Sequence, residues 1–432
     1  MIAPPADVLD PAGPPSDGGR TALVLSGGGA RGAYEAGVLR YLRGEFAEDL
    51  GAQPRLDLVC GTSIGAVNAC FLAALAHRPE DQGETLVDVW RSLKLEDVFH
   101  WSALRLAGLP VYLWRQLRAT KLRQVSWRIS DFLWPEALSR VIEHGVNWER
   151  LHRNVREGFL DALTVTATDL GTGRAVVFIE TRGALPQWSR DAVVEARARQ
   201  IGPEHALASS AIPLLFRPVR IEDSWFVDGS VRQNVPLAPA IRLGADRILV
   251  VALRQHARAE PPVRCNESEP PTTAAQLGRI LNALLLDHTD YDLERLRKIN
   301  SIVAQGRRAF GPSFAASLAE ISASGVSTQM REVRDLVIRP SRDIGLLARD
   351  HAARRVRRLR RGTLASRLLR RAAADADAAQ DGAADLASYL LFDREYADEL
   401  VSLGWSDARG MRAELADFFS RPAAASSGAR TA

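Results

Sequence analysis

Leu56-Asp57-Leu58-Val59-Cys60-Gly61-Thr62-Ser63-Ile64-Gly65 is the stretch whose reading decides the fold. Its first five residues form a short apolar run of strand length that stops at Gly61. From Ala66 to Ala76 the chain reads Ala-Val-Asn-Ala-Cys-Phe-Leu-Ala-Ala-Leu-Ala, which is good helix material. A Gly-x-Ser-x-Gly between a strand and a helix is the pattern of a nucleophile elbow, a strained turn that lifts a serine hydroxyl clear of a sheet. Gly61 and Gly65 suit places where chain segments pass too close for a Cβ. The helix that follows aims its N-terminal N–H groups at a centre where negative charge can develop. A structural glycine turn with an incidental serine is the alternative.

Working outward, Thr21–Leu25 reads as a strand and Ala33–Leu42 as a helix, with Gly27-Gly28-Gly29-Ala30-Arg31-Gly32 between them. Strand, Gly-x-Gly-x-x-Gly, helix is also the dinucleotide fingerprint, so a dinucleotide-binding protein is a serious rival. Such a site needs an acid at the end of the second strand to hold a ribose. Here that strand ends in Cys60-Gly61, its acid Asp57 lies near the beginning, and Ser63 stands where the ribose acid should be. The loop from Gly27 to Gly32 therefore reads as a nest of backbone N–H groups awaiting an oxyanion. Arg31 adds charge, braces the loop, or makes a structural salt bridge; the residues alone leave all three open.

A third turn, Asp228-Gly229-Ser230, follows the strand candidate Trp225-Phe226-Val227 and precedes Asn234-Val235-Pro236-Leu237 and a strand over Arg247–Ala252. An Asp-Gly pair is ordinarily just a turn. Its company makes Asp228 the candidate acid for Ser63.

In combination these three motifs resemble the patatin-like phospholipase family, whose pattern is a glycine-rich anion loop, a Gly-x-Ser-x-Gly elbow and an Asp-Gly-Gly or Asp-Gly-Ala turn. Ala208-Ser209-Ser210-Ala211-Ile212-Pro213, with Phe216 and Pro218 after it, is similar to a further family block, and so is Thr166-Ala167-Thr168-Asp169-Leu170 with Thr172-Gly173. The resemblance covers residues 21–255 and departs from the pattern at Ser230, where the family usually has Gly or Ala. It implies a three-layer α/β/α sandwich, a Ser–Asp dyad without a catalytic histidine, and hydrolysis of lipid acyl esters of the phospholipase A or lysophospholipase type. No metal or organic cofactor is implied.

Carried onto this chain, the family chemistry makes Ser63 the nucleophile and Asp228 its base. An aspartate at its reference pKa of about 3.9 is a feeble base in water. Burial beside the serine raises its proton affinity, and a bound oxyanion lowers the state after proton transfer. The rest is acyl transfer through an acyl-enzyme. A histidine triad competes with this reading. The histidines are His77, His100, His144, His152, His205, His256, His288 and His351, and none sits on a recognisable late strand-end loop. His205 is nearest the acid turn and is expected to be a packing or surface residue.

Composition points to a cytoplasmic protein, peripheral at a membrane where it meets its substrate. Cys60, Cys70 and Cys265 form no disulfide framework. The first twenty residues hold five prolines and no basic–apolar signal pattern, and read as a disordered leader. No apolar run approaches spanning length. Residues 100–134 combine Trp101, Trp114, Trp127 and Trp134 with arginines and leucines, and are expected to form a lid or membrane-docking element, an ordinary helical cover being the alternative. Arg354 to Arg371 holds nine arginines and no acids, which suits an anionic membrane surface; no nucleic-acid motif accompanies it.

The expected organisation is a leader (1–20), a catalytic domain (21–255), and a loop, helix and strand completing the core (256–350). An Arg-rich helix and linker (351–384) and a helical tail (385–432) then follow. Within the third part, 256–275 reads as a linker, Gln276 to Gln305 as an amphipathic helix, and Leu336–Pro340 as a late strand. Two other functions remain: a neutral-lipid or generic carboxylesterase with the same machinery, and a non-catalytic membrane-surface adaptor.

Overall fold

The computed structural model describes residues 19–93, 136–183, 185, 193–213, 215–255, 276, 288–314, 317, 332–358 and 387–420. The strands are β1 (Thr21–Leu25), β2 (Leu58–Thr62), β3 (Ala162–Asp169), β4 (Ala175–Thr181), β5 (Val194–Ala198), β6 (Val219–Ile221), β7 (Ser224–Asp228), β8 (Arg247–Val251) and β9 (Arg334–Ile338). They form one sheet in the order β5-β4-β3-β2-β1-β8-β9, with β7 also paired to β3 and β6 to β7. The run β3-β2-β1-β8-β9 is parallel, while β4 and β7 run antiparallel to β3.

Every residue of β1, β2 and β8 is buried, because helices cover both faces of the sheet. Leu23, Leu25, Val59 and Val165 enter one apolar layer; their neighbours Ala22, Val24, Cys60 and Val250 enter the other. Two-sided burial is why these strands read as continuous apolar runs instead of alternating ones. Helices α1 (Ala33–Arg43), α2 (Ile64–Ala74), α3 (Gln82–Ser92), α4 (Trp148–Glu157) and α5 (Pro203–Ser209) feed the first layer. Helices α6 (Leu237–Arg242) and α7 (His288–Phe310) feed the second. Helices α8 (Ile344–Arg358), α9 (Arg394–Gly410) and α10 (Arg412–Ser420) return to the first. The architecture is a three-layer α/β/α sandwich with a helical C-terminal region.

Several boundaries differ from the sequence reading. Strand β2 starts at Leu58 and runs through Gly61 to Thr62, because its ladder with β3 continues to the Thr62–Thr166 pair. Helix α2 accordingly starts at Ile64, so the turn between them shrinks to Ser63. Strand β9 begins two residues earlier than the apolar run. Arg334 and Asp335 join a strand that, among the described residues, pairs only with β8, where their side chains reach Asp417 and Arg297. Helix α7 continues past Gln305 to Phe310. The tail packs on the core as α9 and α10, with Tyr396, Leu400, Leu415 and Phe418 buried. The expected leader to residue 18, the 100–134 element, the 256–275 and 372–384 linkers, and the arginine run from 359 onward lie outside the described residues. Among the described residues no helix is long and apolar enough to cross a membrane.

Candidate active site

Ser63 sits between the end of β2 and the start of α2 with φ 56° and ψ −128°, a conformation a non-glycine residue holds only where its surroundings enforce it. Those surroundings are identifiable. The Ser63 N–H donates to Ser209 Oγ at 2.8 Å, and the Ser209 hydroxyl donates to the Thr166 carbonyl at 2.6 Å. The N–H groups of Ala66 and Val67 donate to the Ser63 carbonyl. Gly65 wedges the turn against the end of β1: a Cβ there would lie 2.5 Å from the Leu25 carbonyl oxygen and 2.7 Å from that of Ser26. Both neighbours are backbone and cannot swing away. Gly65→Ala is therefore expected at the severe end of overpacking, about 3 kcal/mol, read as a lower urea midpoint with an unchanged slope.

Asp228 closes β7, and sheet register brings it to the serine. Asp228 pairs with Ala167 on β3, one residue beyond the Thr166 that pairs with Thr62 on β2. The Ser63 hydroxyl donates to Asp228 Oδ2 at 2.5 Å, and the Ser230 N–H donates to Oδ1 at 2.8 Å. Asp228 is fully buried, and loss of hydration pushes its carboxyl up to about 6 against the opposing hydrogen bonds from Ser63 and Ser230.

The glycine loop is not uniform in what it can donate. The Gly27 N–H is taken by Asn234 Oδ1 at 2.9 Å, and the Arg31 N–H by the Gly28 carbonyl at 3.2 Å. Gly27 thus anchors the loop to the segment after the acid turn and is unsuited to serve as a free donor. For the N–H groups of Gly28, Gly29 and Ala30 no acceptor is found among the described residues. From Gly29 the loop turns into one helical turn, Gly29–Gly32, that leads into α1. Arg31, 3 % exposed, turns its side chain to the C-terminal region: Nε donates to Ser388 Oγ at 2.7 Å and the guanidinium lies over the Tyr389 ring, 4.6 Å from its centroid. It braces the loop.

Behind the loop lies a buried polar chain. Asn68 Nδ2 on α2 donates to the Gly32 carbonyl and to Glu35 Oε2, and Trp90 Nε1 on α3 donates to Asn68 Oδ1. Burial holds the Glu35 carboxyl well above the usual carboxylate range. Among the described residues no histidine hydrogen-bonds to Ser63 or Asp228. His205 is a packing residue: Nδ1 accepts from the Gly202 N–H and the ring meets Phe178 edge-on at 4.5 Å. His77, His152 and His351 engage Asn154, Glu180 and Asp393. Cys60 and Cys70 are free and buried, their thiols pushed up by desolvation.

Sequence reading singled out the blocks containing Ser209 and Asn234 without assigning them a task. Their signal is a short polar side chain inside an otherwise apolar stretch. Ser388, Tyr389 and Asn68 carried no local signal of these contacts, since their partners lie 357, 358 and 36 or fewer residues away in the chain.

A hydroxyl on a strained strand-to-helix turn, bonded to a buried carboxylate and flanked by a glycine-rich loop, is the arrangement of a serine-type acyl hydrolase. The chain belongs to the patatin-like phospholipase family, whose model matches residues 23–241. It is similar, at 26% identity over 271 residues, to uncharacterized NTE family proteins of Mycobacterium tuberculosis and Mycobacterium bovis, the match covering 61% of this chain and 56% of theirs. It is also similar to a cGAMP-activated phospholipase of Pseudomonas aeruginosa, 27% identical over 222 residues, covering 50% of this chain and 53% of that one. The matches thus span about half the length of these relatives. VipD from Legionella pneumophila, a solved structure, matches over 92% of this chain and 67% of that one at 12% identity with a TM-score of 0.34, a score from which nothing follows.

Proposed function

We propose that the protein hydrolyses acyl esters of phospholipids or lysophospholipids by a Ser–Asp dyad. The 2.5 Å hydrogen bond from Ser63 Oγ to the buried Asp228 carboxylate carries this reading. Family membership and the phospholipase relative support lipid-ester hydrolysis and the choice of substrate class.

In the proposed cycle Ser63 Oγ attacks the ester carbonyl carbon as Asp228 Oδ2 takes its proton. The N–H groups of Gly28, Gly29 and Ala30 receive the oxyanion. Collapse expels the alcohol, to which Asp228 returns the proton, and leaves an acyl-enzyme. Water, deprotonated by Asp228, then attacks the acyl carbonyl; the fatty acid leaves and Ser63 regains its proton. Asp228 is suited to both duties because its carboxyl lies near 6, closer to neutrality than a hydrated aspartate.

The test is fatty-acid release from phosphatidylglycerol and phosphatidylcholine vesicles, from lysophosphatidylcholine and from emulsified trioleoylglycerol, beside stoichiometric labelling by a fluorophosphonate. Labelling with release from the phospholipids or the lysophospholipid is expected. Release from trioleoylglycerol alone would move the protein to the neutral-lipid esterases, and no labelling in any condition would overturn the hydrolase reading.

A further inference from the structure

The segment 388–393 lies far beyond the region matched by the family, yet it touches the glycine loop and its supports at several points. Ser388 Oγ accepts from Arg31 Nε, and the Tyr389 ring lies beneath the Arg31 guanidinium. The Tyr389 backbone covers Gly29 so closely that a Cβ on Gly29 would lie 2.4 Å from the Tyr389 carbonyl oxygen, and Gly29 has φ +57°. Phe392 stacks on Trp90 at 6.0 Å and 3°, and Trp90 is the side chain that holds Asn68, the partner of the Gly32 carbonyl. Asp393 ends the segment, accepting from the N–H groups of Glu395 and Tyr396 at the start of α9 and pairing with His351 on α8. Ser388, Tyr389, Phe392 and Asp393 are all buried.

These contacts bear on a loop with a demanding task. A glycine-rich loop is the most costly kind of chain to immobilise. An oxyanion hole works only if its donors are already in place before the charge develops. Gly27 is tied to Asn234 and Gly32 to Asn68, but Gly28, Gly29 and Ala30 lie between those two anchors. Leu253 presses on Gly28, where a Cβ would lie 2.6 Å from its Cδ1, and Tyr389 presses on Gly29, with Arg31 as the rivet beside it. We propose that residues 388–393 are a positioning element of the active site, which holds the Gly28–Ala30 N–H groups where the oxyanion forms. The inference rests on the Ser–Asp hydrolase reading for its catalytic meaning, though not for its structural one. A chain restricted to the family-matched residues would carry the nucleophile and its acid without the strut over the loop.

The test uses the full chain with Ser388→Ala, Tyr389→Ala and the double variant, Tyr389→Phe as the conservative rescue, and Arg409→Ala as a control. Arg409 sits on the same tail but reaches Glu45 and Trp405, away from the loop. Turnover of a short p-nitrophenyl ester, thermal midpoint, and hydrogen exchange of a peptide spanning 27–32 are read together. Losing one oxyanion donor costs about 10²–10³ in kcat, so a loosened set should cost the double variant about 10- to 100-fold. KM should stay within about twofold, since ground-state binding is not what the loop provides. Loop exchange should accelerate in the same variants, while Tyr389→Phe and Arg409→Ala behave as wild type. Unchanged kcat or unchanged loop exchange in folded Ser388→Ala and double variants would overturn the proposal, as would an equal loss in Arg409→Ala. If wild type turns over no ester, the hydrolase reading fails instead, and loop exchange alone decides whether the strut exists.

Discussion

Ser63→Ala is expected to abolish fluorophosphonate labelling and to lower kcat by about 10⁵–10⁶-fold while leaving the fold intact. The size follows from removing the atom that forms the covalent bond; what remains is whatever the loop and binding can do for attack by water. Stability should fall only modestly, by about 1–3 kcal/mol at neutral pH. The Ser63 N–H, which Ser209 grips, is backbone and survives the substitution, and alanine meets the same backbone strain as serine at φ 56°. The lost hydroxyl leaves Asp228 Oδ2 without its donor, and that carboxyl then titrates higher still, remaining neutral over a wider pH range. Thermal midpoints and labelling on the same preparation check this. Retained labelling would place the reactive serine elsewhere.

Asp228→Asn should separate activity from stability in opposite directions. The amide can accept from the Ser230 N–H at one atom and donate to Ser63 Oγ at the other, so both contacts persist, the second with its direction reversed, while the base is lost. A loss of about 10⁴ in kcat is expected, the scale seen when a dyad or triad keeps its shape with the wrong proton inventory. Stability moves the other way. The folded-state pKa lies near 6 against an ordinary 3.8, so the fold disfavours the ionised carboxylate. Below about pH 4 the group is protonated in both states and contributes nothing. Between 4 and 6 the unfolded chain ionises first, and wild type loses stability as pH rises; above 6 the whole penalty is present. At 1.36 kcal/mol per unit that penalty is about 3 kcal/mol, and Asp228→Asn escapes it. Urea unfolding at pH 8 should favour the variant, with the advantage fading by pH 4. In wild type kcat/KM should fall with unit slope below about pH 6. No gain at pH 8 would show that burial does not tax this carboxylate.

Much of the core was legible before any coordinates. Thr21–Leu25 is a strand to the residue, since an apolar run bounded by Arg20 and a glycine loop has no competing helical period. The helix after the glycine loop and the strand before Asp228 were equally plain. Where sequence reading erred, tertiary pairing was responsible. The glycine at 61 looks like a strand end, yet its parallel neighbour β3 keeps the ladder going to Thr62. Polar Arg334 and Asp335 look like loop, yet they fit a half-buried edge whose ion partners come from α7 and α10.

Sequence by itself determined the inventory of the site: a serine on a glycine-flanked turn, a glycine loop and an acid ending a strand. Each of these is a local requirement, written in neighbouring residues. Only the tertiary structure decided which members of that inventory meet. It set Asp228 at 2.5 Å from Ser63 through the register of β7 on β3, took Gly27 out of the donor set through Asn234, and turned Arg31 to a tail more than 350 residues on. Those outcomes depend on contacts between segments distant in the chain, whose side chains carry no mark of their partners until the sheet and its covering helices bring them together.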